Sequence, residues 1–373
     1  MQDLTFTGAE VLRPEGLCEG PLALSDGRVV ESTVGRIVDL SGFRVLPGIV
    51  DAHGDGFERH LAPRRGAMKD LTQGLVSAEA ELSANGITTA MLAQFWSWEG
   101  GMRSKEFALR FLDALQAYQT VGTDLRVQLR FEYALMEDYP AFMETVQKYG
   151  VGYVVFNDHL PHAALAKGKR PPRLTGQALK SGRSPEAHLE LLQALHDRQE
   201  EADQAVAGLA ADLAGQGVRL GSHDDDTAVA RNGWQALGVT ISEFPETREA
   251  ADSATAGVVL GAPNVVRGGS HSGNVSAADL LREGIGDALA SDYHYPAPKQ
   301  AALLLAEELG LATAWGLVST RPAALLGLDD RGELAPGKRA DLVVLDERGR
   351  IGATLAGGQV THLSGAVAAR FMA

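Results

Sequence analysis

From Pro47 onward, short apolar segments alternate with longer segments of helical periodicity. This alternation is typical of parallel β/α units, in which a helix follows each strand and returns the chain to the same end of the sheet. A chain of 373 residues has room for a barrel of about 250 residues and an appended module. The sequence therefore predicts an α/β protein built around a (β/α)8 TIM-like barrel. The predicted strands are Ile49 to Asp51, Thr88 to Leu92, Val127 to Phe131, Tyr153 to Phe156, Leu220 to Ser222, Thr240 to Ser242, Val258 to Leu260 and Ala288 to Ala290.

The segments between these strands predict helices. Asn85-Gly86 and Gln216-Gly217 are typical of helix ends. The connection from Asn157 to Ser184 carries several lysines and arginines, and we expect residues 160–184 to form either a functional loop or a solvated basic loop. The predicted helices are Thr72 to Asn85, Lys105 to Gln119, Tyr139 to Tyr149, Pro185 to Gln216, Ala228 to Leu237, Arg248 to Ala256, Ala277 to Glu283 and Pro298 to Glu308.

Both chain ends have the pattern of short strands and turns. Asp26-Gly27 favours a hairpin near the N-terminus, and an apolar run follows the turn residues near Gly337. We expect residues 1–46 and 333–373 to form one small β-sandwich module. Residues 47–332 would then be inserted into it as the barrel.

The charge balance limits the classes of partner. With 34 Lys and Arg against 48 Asp and Glu, the formal net charge is −14, so nucleic acid and anionic membranes are not expected partners. The single cysteine, Cys18, excludes an internal disulfide and a cysteine-based metal site. The sequence has neither a secretory leader pattern nor an apolar run long enough to cross a membrane, and we expect a cytoplasmic protein.

Histidines and carboxylates recur where the predicted strands end. In a β/α barrel these ends share one rim, where functional side chains collect. Imidazole and carboxylate ligands suit Zn²⁺, Mn²⁺ or Fe²⁺, and the set could hold one or two ions, with Glu132 bridging. Such ions generate hydroxide from bound water, and Asp292 could both hold a metal and accept the water's proton. The strand-end residues are His53, Asp55, Glu132, Asn157, Asp158, His159, His223, Asp224, Asp225, Asp226, Glu243, Ser291, Asp292 and His294.

Two longer motifs extend this pattern. The stretch from Leu46 to His53, with the closing stretch from Leu334 to Val344, resembles the amidohydrolase superfamily of metal-dependent barrels with a split β-sandwich module. The stretch from Gly261 to Val275 and the sequence Ser222-His223-Asp224-Asp225 are similar to the PhnM family of the carbon–phosphorus lyase pathway. This family resemblance covers essentially the whole chain.

The resemblance implies a hydrolase that releases pyrophosphate from α-D-ribose 1-methylphosphonate 5-triphosphate. Asp55 would replace the second imidazole of the common His-x-His motif, and His223 and Asp292 would be the catalytic residues. Around His159 the sequence departs from the threonine and Gly-Gln-rich loop expected there. The implied metal ligands are His53, Asp55, Glu132, His159, His223 and Asp292.

A triphosphate substrate requires fixed positive charges and hydrogen-bond donors. Residues that follow strands one and seven could supply them, and a local basic rim would offset the net negative charge. Partners would be this small phosphorylated molecule and, besides it, a second copy of the chain or other phosphonate-pathway proteins. The predicted substrate-binding residues are Arg59, His60, Arg64, Arg65, Arg267, Gly269 and His271.

Two other functions fit the sequence. The same metal ligands could serve an amidohydrolase that opens a C–N bond in a cyclic amide or an N-acyl compound, for which Arg267 would matter less. The barrel could also act as a non-catalytic scaffold in a phosphonate-processing complex, although the full set of metal ligands argues against it.

Overall fold

The structure is a computed structural model that describes residues 3–62, 70–269 and 274–373. The strands are β1 Leu4–Thr7, β2 Glu10–Arg13, β3 Gly16–Glu19, β4 Leu22–Ser25, β5 Arg28–Val30, β6 Arg36–Asp39, β7 Arg44–Pro47, β8 Ile49–Gly54, β9 Ile87–Trp96, β10 Asp124–Glu132, β11 Tyr153–Asn157, β12 Arg219–His223, β13 Ile241–Glu243, β14 Val258–Gly261, β15 Ala288–Ala290, β16 Leu342–Leu345, β17 Ile351–Ala356 and β18 Gln359–Leu363. The α-helices are α1 Glu58–Leu61, α2 Leu71–Ala84, α3 Lys105–Ala117, α4 Tyr139–Tyr149, α5 His162–Leu165, α6 Leu174–Ser181, α7 Pro185–Asp197, α8 Gln199–Gly215, α9 Ala228–Ala236, α10 Arg248–Ser253, α11 Ala262–Arg267, α12 Ala277–Arg282, α13 Ala297–Leu309, α14 Leu311–Gly316, α15 Thr320–Leu325 and α16 Gly365–Met372.

Strands β8 to β15 form one sheet in chain order, which is the topology of a (β/α)8 barrel. Five pairs of neighbouring strands run parallel: β8 with β9, β10 with β11, β11 with β12, β12 with β13, and β14 with β15. All six residues of β8 and all ten of β9 are buried, because helices cover the outer face while the inner face points into the barrel. The predicted fold class is confirmed, and each predicted barrel strand overlaps an observed one.

Two smaller sheets accompany the barrel. One has the strand order β5-β4-β1-β6, and the other has the order β18-β17-β16-β7-β2-β3. In the second sheet the two chain ends meet, since β16 pairs antiparallel with β7 and places Leu342 opposite Pro47. Asp26 and Gly27, both with positive φ, make the predicted hairpin between β4 and β5. The predicted domain limits at residues 46/47 and 332/333 stay a prediction.

The chain divides into two compact units. The first comprises Met1–Leu92, Tyr118–Arg126 and Val259–Ala373, and the second comprises Ala93–Ala117 and Val127–Val258. A cluster that includes Phe6, Val45 and Leu342 lies in the first unit. The core of the second unit contains Phe131 stacked on Phe142, with ring centroids 4.0 Å apart.

Two predictions about the second unit need correction. The helix predicted over Pro185 to Gln216 is two helices, α7 and α8, because Arg198 leaves helical geometry at φ −105° and ψ 16°. Glu200 and Glu201 in the first turn of α8 stabilise this new helix N-terminus.

The connection over residues 160–184 is not a simple solvated loop. It contains α5 and α6, and it buries Leu160, Leu165 and Leu174 in a cluster with Trp98 and Leu192. Its lysines and arginines therefore lie on an ordered segment, with Arg170 paired to Glu186 on α7.

A buried ion pair joins α9 to the ends of β12 and β13. Arg231 is fully buried, and its Nη1 lies 3.1 Å from Oδ2 of Asp225, which also accepts hydrogen bonds from Ser222 (2.7 Å) and Ser242 (3.0 Å). Arg231 also donates to the carbonyls of Val239 and Ile241. These contacts fix the residues immediately before His223 and Glu243 on their strands.

Replacing Arg231 with methionine should strongly destabilise the protein. The substitution leaves the Asp225 carboxylate buried without its counter-ion, which costs about 3–5 kcal/mol in the free energy of unfolding. Chemical denaturation followed by circular dichroism measures the change. The matched control is Arg170→Met, which breaks an exposed pair and should leave the unfolding midpoint nearly unchanged. Equal midpoints for the two variants would contradict this account.

Candidate active site

Strand β8 is joined at its end to the segment that follows β15. The backbone N–H of Asp292 donates to the carbonyl of His53 (3.0 Å), and the N–H of Asp55 donates to the carbonyl of Asp292 (2.9 Å). Gly54 and Asp292 form a parallel bridge between these bonds. The backbone thus fixes the relative positions of His53, Asp55 and Asp292, whose side chains can bind a metal.

Gly54 and Asp51 explain how the two strands approach so closely. A Cβ on Gly54 would lie 2.7 Å from Oδ2 of Asp51 and 2.9 Å from Oγ of Ser291, so a larger residue does not fit. Asp51 accepts hydrogen bonds from the backbone N–H (2.9 Å) and hydroxyl (2.5 Å) of Ser291. Burial raises the pKa of Asp51 to about 6, although these hydrogen bonds oppose the shift.

His53, Asp55 and Asp292 form the candidate metal group of the first unit. One ligand atom from each lies within 4.8 Å of the other two. One imidazole and two carboxylates are a donor set that suits Zn²⁺, Mn²⁺ or Fe²⁺, so these residues fit a divalent cation. Asp292 has φ +55°, a left-handed conformation that costs energy and is common at functional sites.

In the second unit, Glu132 and His159 form a tightly bonded pair. Oε1 of Glu132 contacts Nδ1 of His159, while Oε2 accepts from the N–H of His159 (3.1 Å) and from the indole of Trp98 (3.2 Å). Burial lowers the pKa of His159, but the Glu132 carboxylate outweighs it and raises the pKa above its ordinary value. Ligand atoms of Glu99, Glu132 and His159 also lie within 4.8 Å of one another.

His223 lies between a carboxylate and a guanidinium group. Its Nδ1 is 2.9 Å from Oδ2 of Asp224, and its Nε2 accepts from Nη2 of Arg130 at 2.9 Å. Burial raises the pKa of Asp224, but His223 and Arg130 outweigh it and lower the pKa to about 2. Although His159, His223 and Asp224 are close enough to share a cation, a metal on His223 must take a nitrogen that now holds one of these contacts.

Glu243 is buried in the same unit beside His223, its partner across the β12–β13 pair. Its Oε1 accepts from Tyr153 (2.6 Å) and from Gln128 (2.7 Å). The next residue, Phe244, has φ +54° and packs its ring edge-on to His223. A phenylalanine in this conformation marks a strained strand end.

The predicted substrate-binding residues have varied surroundings. Arg59 and His60 both contact Glu81 on α2, and Arg59 also donates to the carbonyl of Tyr293 (3.0 Å). Arg267 is exposed in the last turn of α11, followed by Gly269 at φ +150°. Arg64, Arg65 and His271 lie outside the described residues.

Several residues near the predicted ligands were not found from the sequence. Arg130, Phe95 and Glu99 are the clearest examples in the second unit, and Asp51 is one in the first. Arg130 could have been found, because it precedes Glu132 by two residues and so lies on the same side of β10. Phe95 had no such signal, since buried aromatic residues in strands are common.

Comparisons with known proteins place this arrangement in a family. The chain is 32% identical over 351 residues to the alpha-D-ribose 1-methylphosphonate 5-triphosphate diphosphatase of Escherichia coli (strain K12), covering 87% of this chain and 90% of that protein. The chain belongs to the PhnM family of the amidohydrolase superfamily. A model of an amidohydrolase family also matches residues 274–362. The predicted family is confirmed, and this PhnM-type protein is a hydrolase.

Solved structures share the fold. N-isopropylammelide isopropylaminohydrolase from Burkholderia multivorans is 16% identical with a TM-score of 0.64, covering 98% of this chain and 100% of its own. An adenosine deaminase from Xanthomonas campestris with bound zinc is 15% identical with a TM-score of 0.56, covering 100% of this chain and 96% of its own. At these identities the likeness shows the barrel fold alone. Within residues 3–62, 70–269 and 274–373, no helix is both long and apolar enough to cross a membrane.

Replacing Asp292 with asparagine should weaken metal binding to this PhnM-type protein. The amide keeps the size of the side chain but removes a charged ligand, so we expect affinity for Zn²⁺ to fall by at least roughly tenfold. Elemental analysis after dialysis against a graded zinc buffer measures this. Asp329→Asn, at an exposed position, is the matched control. Wild-type zinc content in the Asp292 variant would rule out this carboxylate as a ligand.

Proposed function

We propose that this PhnM-type hydrolase is a metal-dependent diphosphatase that releases pyrophosphate from α-D-ribose 1-methylphosphonate 5-triphosphate. The observation that carries the proposal is the group of His53, Asp55 and Asp292, fixed at the joined ends of β8 and the segment after β15. The relative from Escherichia coli indicates the substrate.

The proposed ligands hold one or two divalent cations, with zinc the first choice. Zinc is bound in a solved structure of the same fold, and imidazole with carboxylate is its usual oxygen and nitrogen donor set. The chemistry that a cation supplies in such a site is a lowered pKa for water and neutralisation of phosphate charge. The proposed ligands are His53, Asp55, Glu132, His159, His223 and Asp292.

The reaction breaks one phosphoric anhydride bond. The oxygen of a water molecule bonds to the α-phosphorus, the bond from that phosphorus to the bridging oxygen breaks, and pyrophosphate leaves. Asp292 accepts the proton of the attacking water, and its rigid backbone holds the carboxylate in place for this role. Charge builds up on the phosphate oxygens during the reaction, so fixed cationic side chains stabilise the transition state.

Arg267 and the glycines after it are the proposed contacts to the leaving pyrophosphate. A guanidinium can bind two phosphate oxygens at once, and Gly269 gives the backbone a conformation that other residues rarely adopt. Arg59 and His60, which contact Glu81, would each have to exchange or share that contact with a phosphate. Arg267, on the Gly261 to Val275 motif that is similar to the PhnM family, is the position at which to test substrate binding.

Zinc- or manganese-loaded protein should release pyrophosphate from ribose 5-triphosphates, including α-D-ribose 1-methylphosphonate 5-triphosphate. A coupled pyrophosphatase assay with phosphate detection measures the product. Arg267→Met should raise the KM for the triphosphate, since it removes a charge-assisted contact with phosphate oxygens, while the metal content stays at the wild-type level.

The same preparation assayed on cyclic amides and N-acyl compounds provides the comparison. A neutral amide has no phosphate for Arg267 to bind, so the Arg267→Met substitution should change the rate of amide hydrolysis little. Amide turnover without pyrophosphate release from any triphosphate would replace the proposed function with C–N bond hydrolysis.

A further inference from the structure

Two histidines of the second unit contact each other through the same ring atom. His162 is the first residue of α5, and His196 lies in the last turn of α7. Their Nδ1 atoms are 2.7 Å apart, and both residues are partly exposed to solvent. Two imidazole nitrogens at this distance share one proton, because a hydrogen bond needs one donor and one acceptor. In this histidine pair, both Nδ1 atoms are therefore directed at the same point.

The opposite nitrogen of His162 contacts a carboxylate. Nε2 lies 2.9 Å from Oδ2 and 3.1 Å from Oδ1 of Asp158. The hydrogen bond to Asp158 places a proton on Nε2, holds the ring in one orientation and raises the pKa of His162 above its ordinary value. A metal-binding histidine usually donates the N–H of its other ring nitrogen in this way.

The helices that carry the histidine pair are packed together beside it. Leu165 of α5 and Leu192 of α7 are buried in one apolar cluster. Leu165 follows His162 by three residues and Leu192 precedes His196 by four, so each histidine shares a helix face with one of these leucines. Buried packing therefore sets the separation of the two imidazole rings, as a preorganised ligand site requires.

The surroundings of the histidine pair favour a cation. Asp158, Asp203 and Glu132 all act to raise the pKa of His162, because their charges stabilise positive charge at this position. Imidazole nitrogen is a ligand that suits Zn²⁺, Ni²⁺ and Cu²⁺. A tetrahedral zinc ion requires its two ligand nitrogens to be about 3.3 Å apart, roughly 0.6 Å more than the 2.7 Å in this structure. Side-chain rotation can supply a change of this size.

The histidine pair is separate from the candidate ligand groups of the same unit. His159 contacts Glu132 through its Nδ1, whereas His162 contacts Asp158 and His196. Neither histidine of the pair belongs to the two groups in which His159 lies within 4.8 Å of other ligand atoms. Because both histidines are partly exposed, water can supply the remaining ligands of an ion bound between them.

We infer that His162 and His196 form an additional metal site, in which a divalent transition-metal ion binds both Nδ1 atoms and joins α5 to α7. The ion takes the place of the proton between the two nitrogens, which moves to Nε2 of His196 or to water. The inference is independent of the proposed function, since neither histidine is a proposed catalytic, substrate-binding or metal residue there. The competing role is a simple hydrogen bond between two helices.

His162→Gln and His196→Gln each remove one ligand and keep a side chain that can form a hydrogen bond to the remaining histidine. The matched control is His362→Gln, because His362 is a partly exposed histidine of β18 whose ring contacts Ser364 and no other histidine. Pyrophosphate release should stay at the wild-type level in all three variants.

The measurement is the zinc content per chain after equilibrium dialysis against a graded series of free Zn²⁺ concentrations. We expect the wild type to take up one equivalent of zinc that His162→Gln and His196→Gln take up only at a free zinc concentration at least roughly tenfold higher. His362→Gln should match the wild type. In crystals of the zinc-loaded wild type, an anomalous peak should lie roughly 2.0–2.1 Å from Nδ1 of both His162 and His196.

The same zinc uptake by the wild type and both variants of the histidine pair would overturn the inference, as would an equal loss of zinc in His362→Gln. The crystals of the wild type give a test that does not depend on how well any variant folds. An anomalous map without zinc at the histidine pair would leave the hydrogen bond as its role and would also overturn the inference.

Discussion

The pair of backbone hydrogen bonds between His53, Asp55 and Asp292 is the constraint on which the candidate site depends. It joins β8, which directly follows β7, to the segment after β15, more than two hundred residues later in the chain. The absence of a side chain at Gly54 and the buried contact between Asp51 and Ser291 allow the two segments to lie this close together. The geometry of one imidazole and two carboxylates therefore comes from the backbone, and side-chain packing has only to preserve it.

Strain and buried charge are concentrated at the strand ends. Asp224 and Phe244 adopt positive φ immediately after a barrel strand, and Asp292 does so two residues after the end of β15. In the second unit the buried ion pair between Asp225 and Arg231 connects α9 to the ends of β12 and β13. Charge of both signs is also arranged locally around His223, in a chain whose net charge is −14. Under the proposed function, such a local arrangement of charge would allow an acidic protein to serve an anionic substrate.

The barrel could be predicted from the sequence, because strands that are buried on both faces form continuous apolar runs. The length and periodicity of such runs identify them as strands, as for Ile49 and Val50 in β8. The grouping of histidines and carboxylates at the strand ends was predicted from the topology, because the ends of barrel strands share one rim. The break at Arg198 was missed because the residues on both sides have good helix propensity. Arg130 was missed although its two-residue spacing from Glu132 places it on the same side of β10. Phe95 was missed because the stacking of a guanidinium on its ring depends on tertiary contacts, and sequence spacing carries no record of it.

We propose that His53, Asp55 and Asp292 together hold a divalent cation at which a triphosphate is hydrolysed. A crystal structure of the zinc-loaded protein, with anomalous data collected on both sides of the zinc absorption edge, is the most direct test. We expect an anomalous peak within coordination distance, roughly 2.0–2.2 Å, of all three side chains. A peak that none of the three contacts, or zinc-free density in fully active protein, would contradict it.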